Sequence, residues 1–434
     1  MYSDHNHCNM SAPAPASSLS IDSGSAASLH PQEFFTRYIA TRKPFKFTDF
    51  LYDPEFKVSR QLWTDDYLTS MAGDAILQIE KRQSSHDRFG RGKELEVSFR
   101  EFLSAKNENW YLTTQELVHD EEGRPALLSP PLDRLKADFP WRPNIMGNLI
   151  PQNINLWMGF AKDYSSSGLH HDYHDNLYIL LQGKKHFDLY PVSEIENMYT
   201  YGEVMRVHPN GRVNYVGQPT NADGSDVHAM DALESSMALE KALLRLEDNE
   251  DDQDAEEEVE LALERALQAE MNGESEQSEE EDDELRNEEE EAVALEPSVE
   301  DAIANFVRSS QNSSKQSISE ARSGQLLKRP RTSATDAEPL SFSRVDTALP
   351  ETELAQLFPR FVEARRRRLE VSLQAGEMLF IPAGWFHEVR SQAEKADGTH
   401  MALNYWLHPP DAADFDQPYT SKFWRRDWES RGLP

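Results

Sequence analysis

The chain has 434 residues and carries 77 Asp plus Glu against 44 Lys plus Arg, a net charge of -33, with a single cysteine, Cys8. One thiol excludes an intramolecular disulfide framework and any thiolate zinc cluster, and no apolar run approaches the roughly 18 residues that a membrane span requires. The opening MYSDHNHCNMSAPAPASSLS has neither the basic nor the apolar region of a signal peptide, so a soluble protein of the cytoplasm or nucleus is expected.

Residues 1–29, rich in Ser, Ala, Pro and Asp, read as a disordered leader, and His5, His7 and Cys8 within it as part of a floppy polar terminus rather than a metal site. From His30, HPQEFFTRYIATRKPFKF sets Pro31 at a helix start and Phe34, Phe35, Tyr38 and Ile39 on one apolar face, then a short strand after Pro44. Short strands and helices alternate across the rest of 30–150: DAILQIE and ELEVSF as strands, FREFLSA as a helix, NWYLTTQE as a strand. From 151 to 216 strands dominate, in NINLWMGF, LYILLQG and KKHFDLYP, and they return over 344–425 in RLEVSLQ, EMLFIP and MALNYWL. Short strands punctuated by Gly and Pro predict a mainly β chain, a sandwich or barrel, with the early helices packed outside it. The last residues, 426–434, form a tail.

Residues 217–343 interrupt this pattern. Between Asp231 and Glu300 there are 29 acidic residues against four basic ones, a net of -25, so only -8 remains for the rest of the chain. Two stretches, MDALESSMALEKALLRLED and AEEEVELALERALQAEMN, have helical spacing and fit a helical hairpin or short coiled coil; around them the composition cannot bury enough apolar surface to fold. A solvated insertion in a surface loop is expected, since long loops cost little more closure entropy than short ones. The acidity disfavours nucleic acid as a partner and would draw in lysine-rich proteins. LLKRPRTS at 326–333 resembles a nuclear import segment; ARRRRLEV at 364–371 leads into a strand and reads as a solvated edge.

The most informative string is GLHHDYHDNLYILLQGKKHFDLYP at 168–191. His170 and Asp172 are two apart, so on a strand both leave from one face; the same period puts His174 with them and sends His171 and Asp175 the other way. Far downstream, GEMLFIPAGWFHEV at 376–389 presents His387 after a Pro-Ala-Gly-Trp turn. Two imidazoles and a carboxylate suit a facial Fe(II) site with open positions. A bare His-x-Asp pair also recurs by chance, and spacing alone does not join His387 to it.

Together the two strings resemble the Jumonji-C (JmjC) family of Fe(II) and 2-oxoglutarate oxygenases within the cupin group. The resemblance rests on Leu169, His170, Asp172, Asn176, Leu177, Gly183 and Lys185, then on Gly376, Glu377, Pro382, Trp385 and His387, and covers roughly 30–216 and 344–425. It implies a double-stranded β-helix, or jelly roll, split by the acidic insertion. It implies His170, Asp172 and His387 as iron ligands, with 2-oxoglutarate and O2 as co-substrates and Lys185 pairing with the distal carboxylate of 2-oxoglutarate. It also implies Tyr111 and Ser167 near that carboxylate, and Asn176, Asn404 and Trp406 lining the co-substrate pocket or just behind it, where they orient ligands and do not bind the metal; ordinary core packing accounts equally well for Tyr111 and Trp406. A single cysteine leaves no room for the zinc-binding reader modules of chromatin demethylases. The opening PQEFFTRYIATRKPFKFTDFL resembles the small JmjC-only hydroxylases, and among these LHHDYHDNLYILLQGKKHFDLYP with the ending MALNYWLH is most similar to the lysyl hydroxylases that act on developmentally regulated GTP-binding proteins. A protein substrate is thus expected, and a homodimer is compatible with the family. A demethylase, a tRNA-modifying hydroxylase and a non-catalytic cupin-fold interaction protein are the alternatives.

Overall fold

The computed structural model describes residues 21–58, 62–83, 93–115, 119, 124–227, 338–393 and 398–433, with scattered positions between 235 and 265. It contains two facing sheets. The larger has nine strands in the order β1 (Asp22–Gly24), β2 (Phe45–Phe47), β14 (Met378–Ile381), β9 (Asp175–Gln182), β16 (His400–Leu407), β6 (Pro151–Gly159), β5 (Trp110–Leu112), β3 (Ile76–Lys81) and β4 (Lys93–Ser98). The smaller runs β13 (Leu369–Gln374), β10 (Lys184–Tyr190), β15 (Phe386–Gln392), β7 (Ser165–Ser166), with β8 (His170–His171) also pairing with β15. A separate hairpin joins β11 (Val204–Val207) to β12 (Val213–Tyr215). Strands from the two halves of the chain alternate in both sheets, as a double-stranded β-helix requires.

Near-continuous apolar strands such as LYILLQ arise because the larger sheet is covered on both faces. Leu177, Ile179 and Leu181 of β9 join Met378 and Phe380 of β14 and Met401, Leu403, Tyr405 and Leu407 of β16 in the outer core. Tyr178, Leu180, Leu379, Ile381 and Ala402, on the opposite parity, meet Phe187, Leu189, Val371 and Leu373 of the smaller sheet. The same alternation sends Asn404 and Trp406 of β16, Asn155 and Trp157 of β6, and Lys185 of β10 inward, so strand parity builds the site.

The outer core is capped by the N-terminal helices. Pro31–Phe34 starts α1 with Pro at its first turn and continues as a π-helical turn over Phe35–Ile39, which buries Phe34, Phe35, Tyr38 and Ile39. Helix α2 (Asp65–Ala72) is capped by Thr64, and α3 (Phe99–Ala105) by a capping box of Ser98 with Glu101. Beyond the insertion α4 (Glu351–Leu357) and α5 (Pro359–Arg365) bury Leu354, Phe361 and Ala364 beside Leu169, Tyr190 and Phe386. Helix α6 (Phe423–Ser430) buries Phe423, Trp424 and Trp428, so folded structure runs on into the residues expected to be a tail.

At both edges of the expected insertion the fold also extends further than composition suggests. Residues 217–226 are tied down by Arg212 Nε donating to Thr220 Oγ1 at 2.9 Å, Asn210 Nδ2 to Ala222 O at 2.7 Å and Trp424 Nε1 to Asp223 O at 3.1 Å. On the return, His171 N donates to Ser341 O at 3.2 Å and Ser343 N to Leu169 O at 2.8 Å. In between, helical residues at 241–245 and 261–265 bring Leu239 and Ala242 against Val259, Ala262 and Leu263, the packing of a helical hairpin. The leader likewise ends early, since β1 pairs in parallel with β2. Residues 1–20, with His5, His7 and Cys8, and LLKRPRTS lie outside the described residues. Among the described residues no helix is long and apolar enough to cross a membrane.

Candidate metal centre and co-substrate cavity

His170 and His387 are cross-strand neighbours, paired directly between β8 and β15. Their rings lie 4.4 Å apart, and Asp172 follows one turn later, with Oδ1 4.0 Å from His170 Nε2 and Oδ2 3.7 Å from His387 Nε2. All three ligand atoms fall within 4.8 Å of one another. Each imidazole is oriented by a backbone carbonyl, His170 Nδ1 on Gly168 O and His387 Nδ1 on Trp385 O, both at 3.0 Å. An Nδ1–H donated to a carbonyl leaves the Nε2 lone pair free and aimed inward, as a metal ligand needs.

The reason these groups meet differs from strand periodicity. Strand β8 ends at His171, and Asp172 reaches the site from just beyond it, before the bend at 173–174, where its carbonyl accepts from Gly384 N at 3.0 Å. His171 turns away to Tyr215 Oη at 2.7 Å, as expected, and burial pushes its imidazole down to about 4. His174 does not line the cavity; its ring lies 6.3 Å from Trp406 and 5.6 Å from His408. Asp175 is buried against Arg42, whose Nη1 donates to Oδ2 at 2.9 Å, and it accepts from Ala383 N at 2.9 Å, which anchors the Pro-Ala-Gly-Trp turn. Gly384 in that turn has φ +76°, and an added Cβ would lie 1.9 Å from Gly211 O.

Asp172 is held by a chain of amides. Oδ2 accepts from Asn176 Nδ2 at 3.0 Å and Trp406 Nε1 at 3.1 Å; Asn176 Oδ1 accepts from Asn404 Nδ2 at 3.0 Å. Asn404 Oδ1 in turn accepts from Asn155 Nδ2 at 3.2 Å and Trp157 Nε1 at 2.8 Å. Burial pushes the Asp172 carboxyl upward, but His387, His170 and these two donors outweigh it, so the group is held below the ordinary carboxylate range. Burial, with His387 beside it, pushes His170 down to about 4. A carboxylate and two imidazoles with inward-facing Nε2 atoms suit a divalent iron site.

Beside the triad lies a cavity of about 580 Å3, its mouth included. Of the nine residues singled out from the sequence, eight line it: His170, Asp172 and His387, together with Lys185, Tyr111, Ser167, Asn176 and Trp406. Asn404 sits one layer behind. Lys185 is 2% exposed, donates to Ser391 Oγ, and lies with Nζ 5.8 and 5.9 Å from the ring centres of Tyr111 and Tyr178. Burial, with the Arg82 charge, pushes its ammonium down to about 7. A buried lysine that donates to a hydroxyl suits an incoming carboxylate. Ser167 spends its hydroxyl proton on Gly168 O at 2.8 Å and accepts from Val389 N at 2.9 Å, so it fastens β15 as well as facing the cavity.

Sequence reasoning passed over Arg82, Trp157, Tyr178 and Ser391, which also line the cavity. Parity from Asn176 would have found Tyr178. Ser391 lies directly opposite Lys185 in the β10–β15 register, a pairing that no local pattern carries. Phe342, from the segment returning out of the insertion, stacks on His170 with ring centres 4.8 Å apart.

The fold and site together define a cupin-type barrel carrying a His-Asp-His triad that could hold a metal ion. The family profile described as Cupin-like domain matches residues 31–413, and the chain belongs to this cupin-like JmjC family. It is 33% identical over 426 residues, 93% of this chain and 87% of the relative, to JmjC domain-containing protein 4 of Schizosaccharomyces pombe. Local similarity reaches Bifunctional peptidase and (3S)-lysyl hydroxylase JMJD7 of Homo sapiens, at 36% over 70 residues, covering 16% of this chain and 21% of that one. Lysine-specific demethylase JMJ32 of Arabidopsis thaliana is 36% identical over 63 residues, 14% of this chain and 17% of its own.

Proposed function

We propose that the protein is an Fe(II)- and 2-oxoglutarate-dependent dioxygenase that hydroxylates a protein side chain, with lysine as the target. The observation that carries this reading is the conjunction of the triad, with both Nε2 lone pairs directed inward, and a buried lysine that has no carboxylate partner among the described residues in the same cavity. The metal and 2-oxo acid would supply oxidation of an unactivated C–H bond, for which protein side chains are poor reagents. His170, Asp172 and His387 would hold the metal, and Lys185 with Tyr111 would hold the distal carboxylate. Asn176 and Trp406 fix the Asp172 carboxylate, so the ligand set needs no rearrangement on loading. The rings of Trp157, Tyr178 and Phe187 keep the cavity apolar and exclude water.

The lysine assignment rests on the local likeness to a relative named as a lysyl hydroxylase; the near-full-length relative's name specifies no substrate. GTP-binding proteins of the developmentally regulated class belong in the first substrate panel, alongside lysine-methylated histone peptides and tRNA. The test is anaerobic titration with Fe(II) and 2-oxoglutarate, then oxygen addition and succinate detection, with His170→Ala and Lys185→Ala as controls. Succinate formation lost in both variants supports the dioxygenase. Well-folded protein that binds no iron would overturn it in favour of a non-catalytic cupin. On candidate substrates, gain of one oxygen supports hydroxylation, whereas loss of a methyl group would replace it with demethylation.

A further inference from the structure

Arg82 has no role in the reading above, yet it is built into the cavity wall. It follows β3 directly, and its backbone N–H donates to Asn109 O at 2.9 Å, which ties it to the start of β5. The side chain is 5% exposed, and its Cζ lies 5.2 Å from the Tyr111 ring centre, the same ring that Lys185 Nζ approaches to 5.8 Å. Arg82 Nε is buried with no hydrogen-bond partner among the described residues. A guanidinium stays charged in proteins, so the cavity has a permanent cation beside a titratable one. Among the described residues, Tyr111 and His400 are buried beside it, and Tyr178 is buried beside Lys185. His400 is kept neutral by burial with the Lys185 and Arg82 charges, and both tyrosines are held protonated by burial. Glu80, two residues earlier on β3, is buried and does not line the cavity. With Lys185 protonated, Arg82 and Lys185 line the same cavity as two cations, a setting that suits a carboxylate.

We propose that Arg82 is a second positioning cation for the distal carboxylate of the 2-oxo diacid, acting with Lys185 and selecting a diacid over a 2-oxo monoacid. The inference rests on the dioxygenase reading and deepens it. Two donors of different geometry fix both the position and the plane of a carboxylate, which one ammonium does not.

The test is isothermal titration of the full chain loaded with redox-inert Mn(II), using 2-oxoglutarate and 2-oxobutyrate, which lacks the distal carboxylate. Arg82→Met is expected to raise the Kd for 2-oxoglutarate by about 10-fold to 100-fold, the loss of one charge-assisted hydrogen bond. Its Mn(II) affinity and 2-oxobutyrate Kd should stay within about twofold of wild type, below the loss of one such bond. A 2-oxoglutarate Kd within about twofold of wild type would overturn the proposal, as would equal weakening of both oxo acids, the mark of a merely structural residue. Should Arg82→Met not fold, Arg82→Lys decides: a Kd at least about threefold weaker supports the fork geometry, and an unchanged Kd refutes it. Wild-type protein that binds Mn(II) but no 2-oxoglutarate overturns the underlying dioxygenase reading, an outcome separate from failure of the Arg82 role.

Discussion

Lys185→Met should make the ligand-free protein more stable while abolishing its response to 2-oxoglutarate. Burial, helped by Arg82, moves the ammonium from its ordinary 10.5 to about 7. At 1.36 kcal/mol per pH unit this displacement corresponds to about 5 kcal/mol, an upper bound on the cost of burying the charge. Below about pH 7 the lysine is protonated in both the folded and unfolded chains, and the folded state bears the whole cost. Between about 7 and 10.5 the unfolded chain holds the proton and the folded chain does not, so this contribution to stability rises with pH across that window. An apolar side chain of similar length removes the cost, and the apo variant should gain at least about 1 kcal/mol at pH 6.5, with the difference fading towards pH 10. Wild type with 2-oxoglutarate at 100 times its Kd should gain about 2.7 kcal/mol, and the variant almost none. Because the ammonium must be charged to pair with the carboxylate, wild-type affinity should fall by up to about tenfold per pH unit above 7. Denaturant unfolding at pH 6.5 and 9, with and without Mn(II) and 2-oxoglutarate, measures all of this. A variant less stable than wild type at pH 6.5, or one that keeps the ligand-induced gain, would refute the reasoning.

Asn404→Ala should weaken Mn(II) binding by about 10-fold to 100-fold without touching the metal, because it unlinks Asn176 from Trp157 and Asn155; equilibrium dialysis reads the change, and unaltered affinity would show that Asp172 needs no such support. Asp175→Asn leaves the Arg42 charge buried without its counter-ion and should cost about 3–5 kcal/mol in chemical denaturation. Gly384→Ala should displace the turn before His387, since the new methyl meets Gly211 O; a circular dichroism spectrum like wild type with lost metal affinity is the expected pair of results.

The barrel was legible wherever burial on two faces left its mark. LYILLQG, EMLFIP and MALNYWL read as strands because both parities are apolar, whereas Lys185, in the mixed strand KKHFDLY, was singled out only through the family resemblance. The triad was legible as residue types, although the argument that joined His170 to Asp172 assumed a longer strand than exists, which also misplaced His174. What sequence did not carry was register. Ser391 serves Lys185 only because β10 and β15 align them, and Arg82 reaches the cavity only because β3 lies across β5. Asn404, expected either to line the co-substrate pocket or to orient the ligands from behind it, works through Asn176, one layer back. Composition alone also could not show that both ends of the acidic stretch, at 217–226 and 338–343, are pinned to the barrel.

Strands β14, β15 and β16 come from beyond the insertion and slot between strands that precede it, β14 between β2 and β9, β16 between β9 and β6, and β15 beside β10, β7 and β8. The enclosure is thus a two-piece lock threaded on a single cord. Neither piece holds a complete metal site, since His170 and Asp172 belong to one and His387 to the other. Cutting the cord within 266–337 leaves every one of these pairings in place, so the severed pieces should stay clasped and keep their metal. Made as separate chains, each should remain unfinished until it meets its complement.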